Sequence, residues 1–217
     1  MSAISDQVTA KAQAGIPVFD LLLNGGFVMI PIFILSIIAV YVFINKFVYV
    51  KRLALVDQNY VLNILNSLDG TDVGRAIQMS KMNNTAIGRI FETGLHYIGR
   101  PVKDIEAFIE TATNLEIGKM EKNLSYLGII AGIAPMLGFI GTISGVIKIF
   151  YSISMTDNIS IGIIAGGLYQ KMVCSGAGLV VGVLAYAFYH YLQMMIDRFT
   201  LAVQDSAFDF MKRITQP

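Results

Sequence analysis

Three long stretches of the chain contain no charged side chain. Each of these gaps is 25 residues long, and they lie between Asp20 and Lys46, between Lys122 and Lys148, and between Lys171 and Asp197. A helix needs about 20 apolar residues to cross the hydrocarbon core of a bilayer. The pattern therefore predicts three transmembrane helices. Their expected bounds are residues 25–48, 126–151 and 162–193.

The first apolar stretch does not fit a cleaved signal peptide. The apolar region of a signal peptide covers about 7–15 residues and leads to a cleavage site of small residues. Here the stretch is longer and ends in Asn45-Lys46-Phe47. Residues 1–24 are therefore expected to form a periplasmic segment before the first span. A short amphipathic helix on the membrane surface is one interpretation of that segment.

The segment between the first and second spans follows a helical rhythm. Apolar residues recur there at steps of three and four positions, as at Leu53, Val56, Tyr60, Ile64 and Leu68. The pattern predicts a cytoplasmic helical domain over residues 49–125.

Two helices are expected to continue beyond the bilayer. From Pro101 an apolar periodicity runs into the second span, which predicts one helix without a break. The rhythm of the third span continues through residues 194–217, the expected cytoplasmic C-terminal helix. The predicted fold class is an all-α integral membrane protein with three transmembrane helices, whose long cytoplasmic extensions form a bundle. Separate surface helices are the alternative.

The placement of lysine and arginine predicts the orientation. Lys11 alone precedes the first span, whereas Lys46, Lys51 and Arg52 follow it, and the expected loop over residues 152–161 has neither residue type. Positively charged flanks remain in the cytoplasm. The N-terminus and the 152–161 loop are therefore predicted to be periplasmic, and the C-terminus cytoplasmic.

Composition narrows the class further. Hydrophobic residues make up 55% of the chain, charged residues 14%, and the formal net charge is +1. A disordered chain is excluded, because disorder requires low hydrophobicity and high charge. Nucleic acid is excluded as a partner that binds by bulk charge, since there is no basic excess. Cys174 is the one cysteine, and no phosphate-binding loop or metal-ligand spacing occurs. The sequence indicates neither an enzyme nor a metal site.

Glycines in the second and third spans indicate close helix packing. In lipid, small residues four positions apart allow helix backbones to approach one another. Four such pairs occur: Gly128 with Gly132, Gly141 with Gly145, Gly162 with Gly166, and Gly178 with Gly182. One interpretation is tight packing of the second span on the third. The other adds contacts with further copies of the chain.

Polar side chains inside a span are costly and usually functional. The candidates for a pore or proton pathway are Thr142, Ser144, Gln170, Lys171 and Ser175. Because the two spans run antiparallel, Thr142 and Ser175 are expected within a turn or two of each other in depth. For Lys171 three interpretations stay open: extension to the membrane surface, pairing with an acidic partner, and binding of a lipid phosphate.

The three predicted spans contain no aspartate or glutamate. A proton relay needs a group that titrates, usually a carboxylate. If this protein handles protons, the carboxylate has to come from another chain.

Two motifs resemble the signatures of the ExbB/TolQ/MotA family. Residues 134–146, APMLGFIGTISGV, are similar to the second-span signature, in which a proline is followed by G-L-x-G-T-V-x-G. Residues 167–179, GLYQKMVCSGAGL, are similar to the third-span signature, G-I-x-E-A-L-x-x-T-A-x-G-L. Pro135 and Gly138 belong to the first motif and join the expected packing residues. ExbB is the most similar member type and TolQ the second.

The resemblance implies a proton-driven motor subunit of the bacterial inner membrane. It implies a homopentamer, an ExbD-like single-span partner with a transmembrane aspartate, and a TonB-like protein that is energised. Protons would take the place of a cofactor, and membrane phospholipid is the other ligand considered. Thr142 and Ser175 fall on hydroxyl positions of the family, whereas Gln170 and Lys171 stand where many members have Glu and Ala. A TolQ-like subunit and a non-conducting membrane scaffold are the alternatives.

Overall fold

The computed structural model describes residues 27–54, 57–69, 73–82, 85–156 and 161–215, and these residues are helical apart from short connections. Over them the chain forms seven helices: α1 (Met29–Leu53), α2 (Gln58–Asp69), α3 (Val73–Met82), α4 (Ala86–His96), α5 (Val102–Glu121), α6 (Ser125–Thr156) and α7 (Ile161–Thr215). The expected segment over residues 1–24 and the centre of the expected 152–161 loop lie outside the described residues.

Three stretches are long and apolar enough to cross a membrane. They are α1, the α5–α6 segment over Val102–Met155, and the Ile164–Thr215 part of α7. Only 11%, 28% and 22% of their most apolar windows are buried, respectively. Buried helices of a soluble protein would hide such side chains, so the exposed apolar surface fits a lipid environment. The predicted all-α membrane class with three spanning helices is confirmed.

The chain divides into two compact units. Of the described residues, those within 27–38 and 129–185 form the apolar unit, and those within 39–128 and 186–215 form the bundle unit.

In the bundle unit, successive short helices pack on one another, α2 on α3, α3 on α4 and α4 on α5. Helix α4 has the most one-sided apolar face, and its residues Ile87, Ile90, Phe91 and Leu95 are almost fully buried. Thr85 caps its N-terminus, because the Thr85 Oγ1 accepts a hydrogen bond from the Gly88 N–H at 3.3 Å.

Helix α4 lies close to both long helices of this unit. A Cβ at Gly94 would lie 2.9 Å from Ile109 of α5 and 3.3 Å from Phe210 of α7. The rings of Phe91 and Phe210 are 5.5 Å apart. The predicted bundle of helical extensions is therefore present, with a core shared by α4, α5 and α7.

The expected unbroken helix from Pro101 into the second span is wrong, because the chain leaves the helix between α5 and α6. Lys122 is extended, with φ −49° and ψ 128°, and Asn123 has φ +69°. Asparagine tolerates this left-handed conformation better than most residues do. In contrast, α7 runs without a break from Ile161 to Thr215, as its apolar rhythm predicts.

The Lys46 side chain of α1 caps the C-terminal end of α5. Its Nζ donates to the carbonyl oxygens of Lys119 and Met120, at 3.4 Å and 3.3 Å. These carbonyls belong to the last turn of α5, where no intrahelical partner is available. A cation at this position also interacts favourably with the helix dipole.

A buried glutamate joins α4 to α5. The Glu116 side chain is 5% exposed, and it accepts hydrogen bonds from Arg89 Nε at 3.0 Å and Nη2 at 2.5 Å. Lys119 Nζ donates to the same carboxylate at 2.6 Å. Burial alone would raise the pKa of Glu116, but the hydrogen bonds from Arg89 and Lys119 outweigh it and hold the pKa below its usual value.

We expect Glu116→Gln to destabilise the protein by roughly 1–3 kcal/mol at pH 7, because it leaves Arg89 with a weakened partner in a largely buried site. The carboxylate stabilises the fold above its ordinary pKa, and this contribution is lost as the pH falls through the lowered pKa of the folded state. Thermal unfolding in detergent at pH 7 and at progressively lower pH measures both effects. Glu121→Gln, an exposed change on the same helix, serves as the control. Equal midpoints for the two variants at pH 7 would contradict the assignment.

Candidate functional site

Within the apolar unit, the backbones of α6 and α7 meet at glycines. A Cβ at Gly178 would lie 2.6 Å from the carbonyl oxygen of Ala134 and 3.1 Å from the Cα of Gly138. A Cβ at Gly138 would in turn lie 3.0 Å from the Cα of Ser175. Side chains larger than hydrogen cannot be accommodated here without moving a helix. Close backbone approach of this kind is how helices associate in lipid.

The same contact extends along both helices. A Cβ at Gly182 would lie 2.5 Å from the ring of Pro135, and a Cβ at Gly141 would lie 2.9 Å from the Sγ of Cys174. The ring of a proline inside a helix needs room and removes one backbone hydrogen bond. Gly182 provides that room on the facing helix.

The remaining predicted packing glycines lie elsewhere. Cβ atoms at Gly132 or Gly166 would meet nothing within 4 Å among the described atoms. Gly162 is exposed. Gly128, in the bundle unit, is exposed and would bring a Cβ to 3.8 Å from the ring of Tyr189. Two of the four small-residue pairs are thus used between α6 and α7, and two are left on the surface.

The two hydroxyls singled out by the sequence lie near this contact. Thr142 and Ser175 are both half-buried. The Thr142 Oγ1 donates to the carbonyl oxygen of Phe139 at 2.6 Å. Ser175 faces Gly138, which lies one turn before Thr142 on α6, or about 6 Å along the helix axis.

Ser144 and Gln170 stand apart from this pair. Ser144 is exposed and shares its side of α6 with the exposed Ile140 and Ile147. The structure therefore does not bring it to the contact. The side chain of Gln170 lies outside the described residues.

The side chain of Lys171 on α7 packs over Gly145 of α6. The space that a Cβ at Gly145 would occupy is filled by the Cγ, Cδ and Cε atoms of Lys171. The aliphatic stem therefore packs against the α6 backbone, and the side chain is half-buried. One turn further along α7, Ser175 follows on the same helix face. A cation and a hydroxyl thus border the helix contact from the α7 side.

Sequence reasoning missed the role of Cys174 in packing. Its side chain is fully buried and forms a core with Met29 and Ile32 of α1, with Leu137, Ala177 and Val181 packed around them. Cysteine is among the residues most often buried in proteins, which is the signal that the sequence offered. The core places the beginning of α1 against both glycine-lined helices.

The chemistry available here is that of hydroxyls and one cation. The described residues of the apolar unit include no carboxylate. Across the described part of the chain, no group of His, Cys, Asp and Glu side chains is arranged to hold a metal ion. The hydroxyls can hydrogen-bond an acid or a water molecule, but a hydroxyl group does not itself release and rebind a proton near neutral pH.

These features define a helical membrane protein whose second and third spans pack through glycines, with a hydroxyl on each span near the contact. A sequence model of the MotA/TolQ/ExbB proton channel family matches residues 82–205, which is more than half of the chain. The chain belongs to this family.

Individual relatives agree with the family assignment. The chain is 24% identical to ExbB-like protein 3 of Synechocystis over 83% of its own length and 87% of that protein. It is 24% identical to the Tol-Pal system protein TolQ of Haemophilus influenzae over 49% of its length and 52% of that protein. It is 26% identical to the biopolymer transport protein ExbB of Salmonella typhimurium over 41% of its length and 36% of that protein.

We expect Gly178→Ala to destabilise the α6–α7 contact by about 1–3 kcal/mol, because the added methyl meets rigid backbone rather than a side chain. Gly176→Ala is the matched control, since a Cβ there meets nothing within 4 Å of the described atoms. Thermal unfolding of the two purified variants in the same detergent compares them. A Gly178→Ala midpoint equal to that of the control would show that the close contact is not required.

Proposed function

We propose that this chain is a subunit of a proton-motive-force-driven motor in the bacterial inner membrane. In this proposal it assembles as a homopentamer around an ExbD-like single-span partner and energises a TonB-like protein.

The main support for this role is that the second and third spans each have a hydroxyl near their contact but contain no aspartate or glutamate. Thr142 and Ser175 lie within about a turn of each other beside the α6–α7 contact. Hydroxyl groups can donate to a carboxylate or align a water molecule, but they do not titrate near pH 7. A transmembrane aspartate from a partner would provide the titrating group that this site lacks. Protons are then the only species carried, with no further cofactor.

The residues around the hydroxyls modify this scheme. Gln170 and Lys171 occupy positions where the resemblance would place Glu and Ala. The predicted third span, residues 162–193, therefore contributes no carboxylate, and a partner's acid would be essential. Lys171 packs its stem over Gly145, so its ammonium group stays close to this side of α7 and could pair with that acid.

Unused surface supports self-association. In the apolar unit, Gly132 and Gly166 are exposed glycines without a neighbour among the described residues. In the bundle unit, Leu115, Leu201 and Phe208 are 62–69% exposed. Leu201 and Phe208 are seven positions apart and so share one face of α7, where a neighbouring copy could cover them. Neighbouring copies of the chain would cover both kinds of surface.

The orientation follows from the charges. Lys46, Lys51 and Arg52 at the end of the first span favour a cytoplasmic bundle unit, a periplasmic N-terminus and a cytoplasmic C-terminus. We prefer the ExbB-like assignment to a TolQ-like one because two ExbB-like proteins of Synechocystis align over 83% and 90% of this chain. The TolQ of Haemophilus influenzae and the ExbB of Salmonella typhimurium align over similar shares, 49% and 41%.

The proposal is tested by removing each hydroxyl. Thr142→Val and Ser175→Ala are expected to reduce proton flux about tenfold in proteoliposomes that contain the chain with its single-span partner, because a hydrogen bond to a charged group contributes about 1.5–3 kcal/mol. Assembly, read by native mass spectrometry, should be unchanged. Thr111→Val is the matched control, because Thr111 also donates to its own helix backbone, at 2.8 Å, but lies outside the predicted spans.

The second candidate is a non-conducting scaffold that uses its glycine faces only to oligomerise. The exposed Gly132 and Gly166 favour it, since no other described residue packs on them and close packing needs no proton chemistry. The scaffold predicts wild-type behaviour for both hydroxyl variants and loss of assembly for Gly132→Leu or Gly166→Leu. Unchanged flux in Thr142→Val and Ser175→Ala would therefore favour the scaffold over the motor.

A further inference from the structure

A second site lies in the bundle unit, at the point where α5 ends and α6 begins. A pocket of about 380 Å³ opens there beside the C-terminal part of α1. We call it the lysine pocket; it is lined by Asn45, Lys46, Tyr49, Lys119, Lys122 and Asn123.

The lining is suited to an anion. Three of its six residues are lysines and none is acidic. Two asparagine amides and the Tyr49 hydroxyl add neutral hydrogen-bond donors. The adjacent carboxylate of Glu116 is already shared between Arg89 and Lys119, so it does not neutralise the other two lysines.

The lysines differ in how their charge is used. Lys46 Nζ is held by the carbonyls of Lys119 and Met120, and it also lies 5.0 Å from the centre of the Tyr49 ring. The Lys122 side chain is exposed and, within the described residues, has neither an ion pair nor a hydrogen bond. The pocket is thus fixed on one side by Lys46 and has a free cation at its rim.

The break between α5 and α6 builds this pocket. Because Lys122 is extended and Asn123 has φ +69°, both side chains leave the helical path and line the pocket next to Lys46. The break also leaves the carbonyl oxygens of Lys119 and Met120 without a helical partner, and these two groups hold the Lys46 ammonium at the pocket.

The position of the pocket along the chain indicates which anion it meets. Asn45 and Lys46 are the first strongly polar residues after the apolar run of α1. Three exposed tyrosines occur near the same ends of the spanning helices. They are Tyr41 on α1, Tyr126 at the start of α6 and Tyr191 on α7, which are 66%, 55% and 48% exposed. Tyrosines of this kind collect at the level of lipid head groups. Basic pockets between helices at that level bind anionic head groups.

We propose that the lysine pocket binds the phosphate group of an anionic phospholipid. The proposed orientation of the chain puts this lipid in the cytoplasmic leaflet. The site is separate from Thr142 and Ser175, and it does not depend on whether the chain conducts protons.

Native mass spectrometry of the full chain in detergent tests the proposal with two added lipids, dioleoyl phosphatidylglycerol and dioleoyl phosphatidylcholine. Phosphatidylglycerol should bind at least fivefold more tightly. Lys122→Gln should weaken its binding about fivefold, the effect expected for one lysine near a membrane surface, and leave phosphatidylcholine unchanged. Lys103→Gln, an exposed change at the opposite end of α5, is the matched control and should bind as wild type.

Three results would overturn the proposal. The first is equal binding of the two lipids by the wild-type chain. The second is equal phosphatidylglycerol binding by Lys122→Gln and Lys103→Gln, with both variants folded by thermal unfolding. The third is displacement of phosphatidylglycerol by an equal concentration of sodium phosphate, beyond that caused by sodium chloride at the same ionic strength. That result would assign the pocket to a free anion instead of a lipid.

Discussion

The close backbone contact between α6 and α7 is the constraint on which the candidate site depends. Gly138 and Gly178 allow the two backbones to meet, and the absence of side chains there leaves the neighbouring positions to set the chemistry. In lipid, packing one apolar helix on another gains little free energy from the hydrophobic effect, so close van der Waals contact has to hold the two helices together. Ser175 and Lys171 are fixed against α6 because their helix is held at this short distance. Thr142 lies beside them because it follows Gly138 by one turn.

A different principle organises the bundle unit, where charge is placed at helix ends and at buried crossings. Glu116 receives hydrogen bonds from Arg89 and Lys119, and Lys46 donates to the free carbonyls at the end of α5. Both arrangements satisfy polar groups that would otherwise be costly to bury. The same lysines leave a surplus of positive charge around the break at Lys122 and Asn123. A structural need, the closing of a helix end, thus also creates a place where an anion is favoured.

Much of the architecture could be predicted because its causes are local in the sequence. A stretch of 25 residues without charge is long enough to cross the bilayer as a helix, and three such stretches predict the three spanning helices. The apolar rhythm of α7 likewise predicted a helix that continues well past its apolar part. The two family motifs also lie within single helices, so the resemblance could be found from short runs of residues.

The features that sequence reasoning missed depend on geometry that the pattern does not record. An extended residue, Lys122, and a left-handed one, Asn123, separate α5 from α6 without disturbing the apolar spacing on either side. The four glycine pairs look alike in the sequence, yet among the described residues only two of them lie in the close α6–α7 contact, because the rotation of each helix is set by the whole contact. The link between Arg89 and Glu116 joins residues 27 positions apart, and the burial of Cys174 depends on the approach of α1. Such relations appear only once the helices are placed.

Native mass spectrometry of the detergent-extracted chain, produced together with a single-span partner that carries a transmembrane aspartate, tests the central claim most directly. The account predicts five copies of this chain with one or two copies of the partner retained. A monomer or dimer that retains no partner would contradict it, since the site would then have no source for the carboxylate that its hydroxyls require.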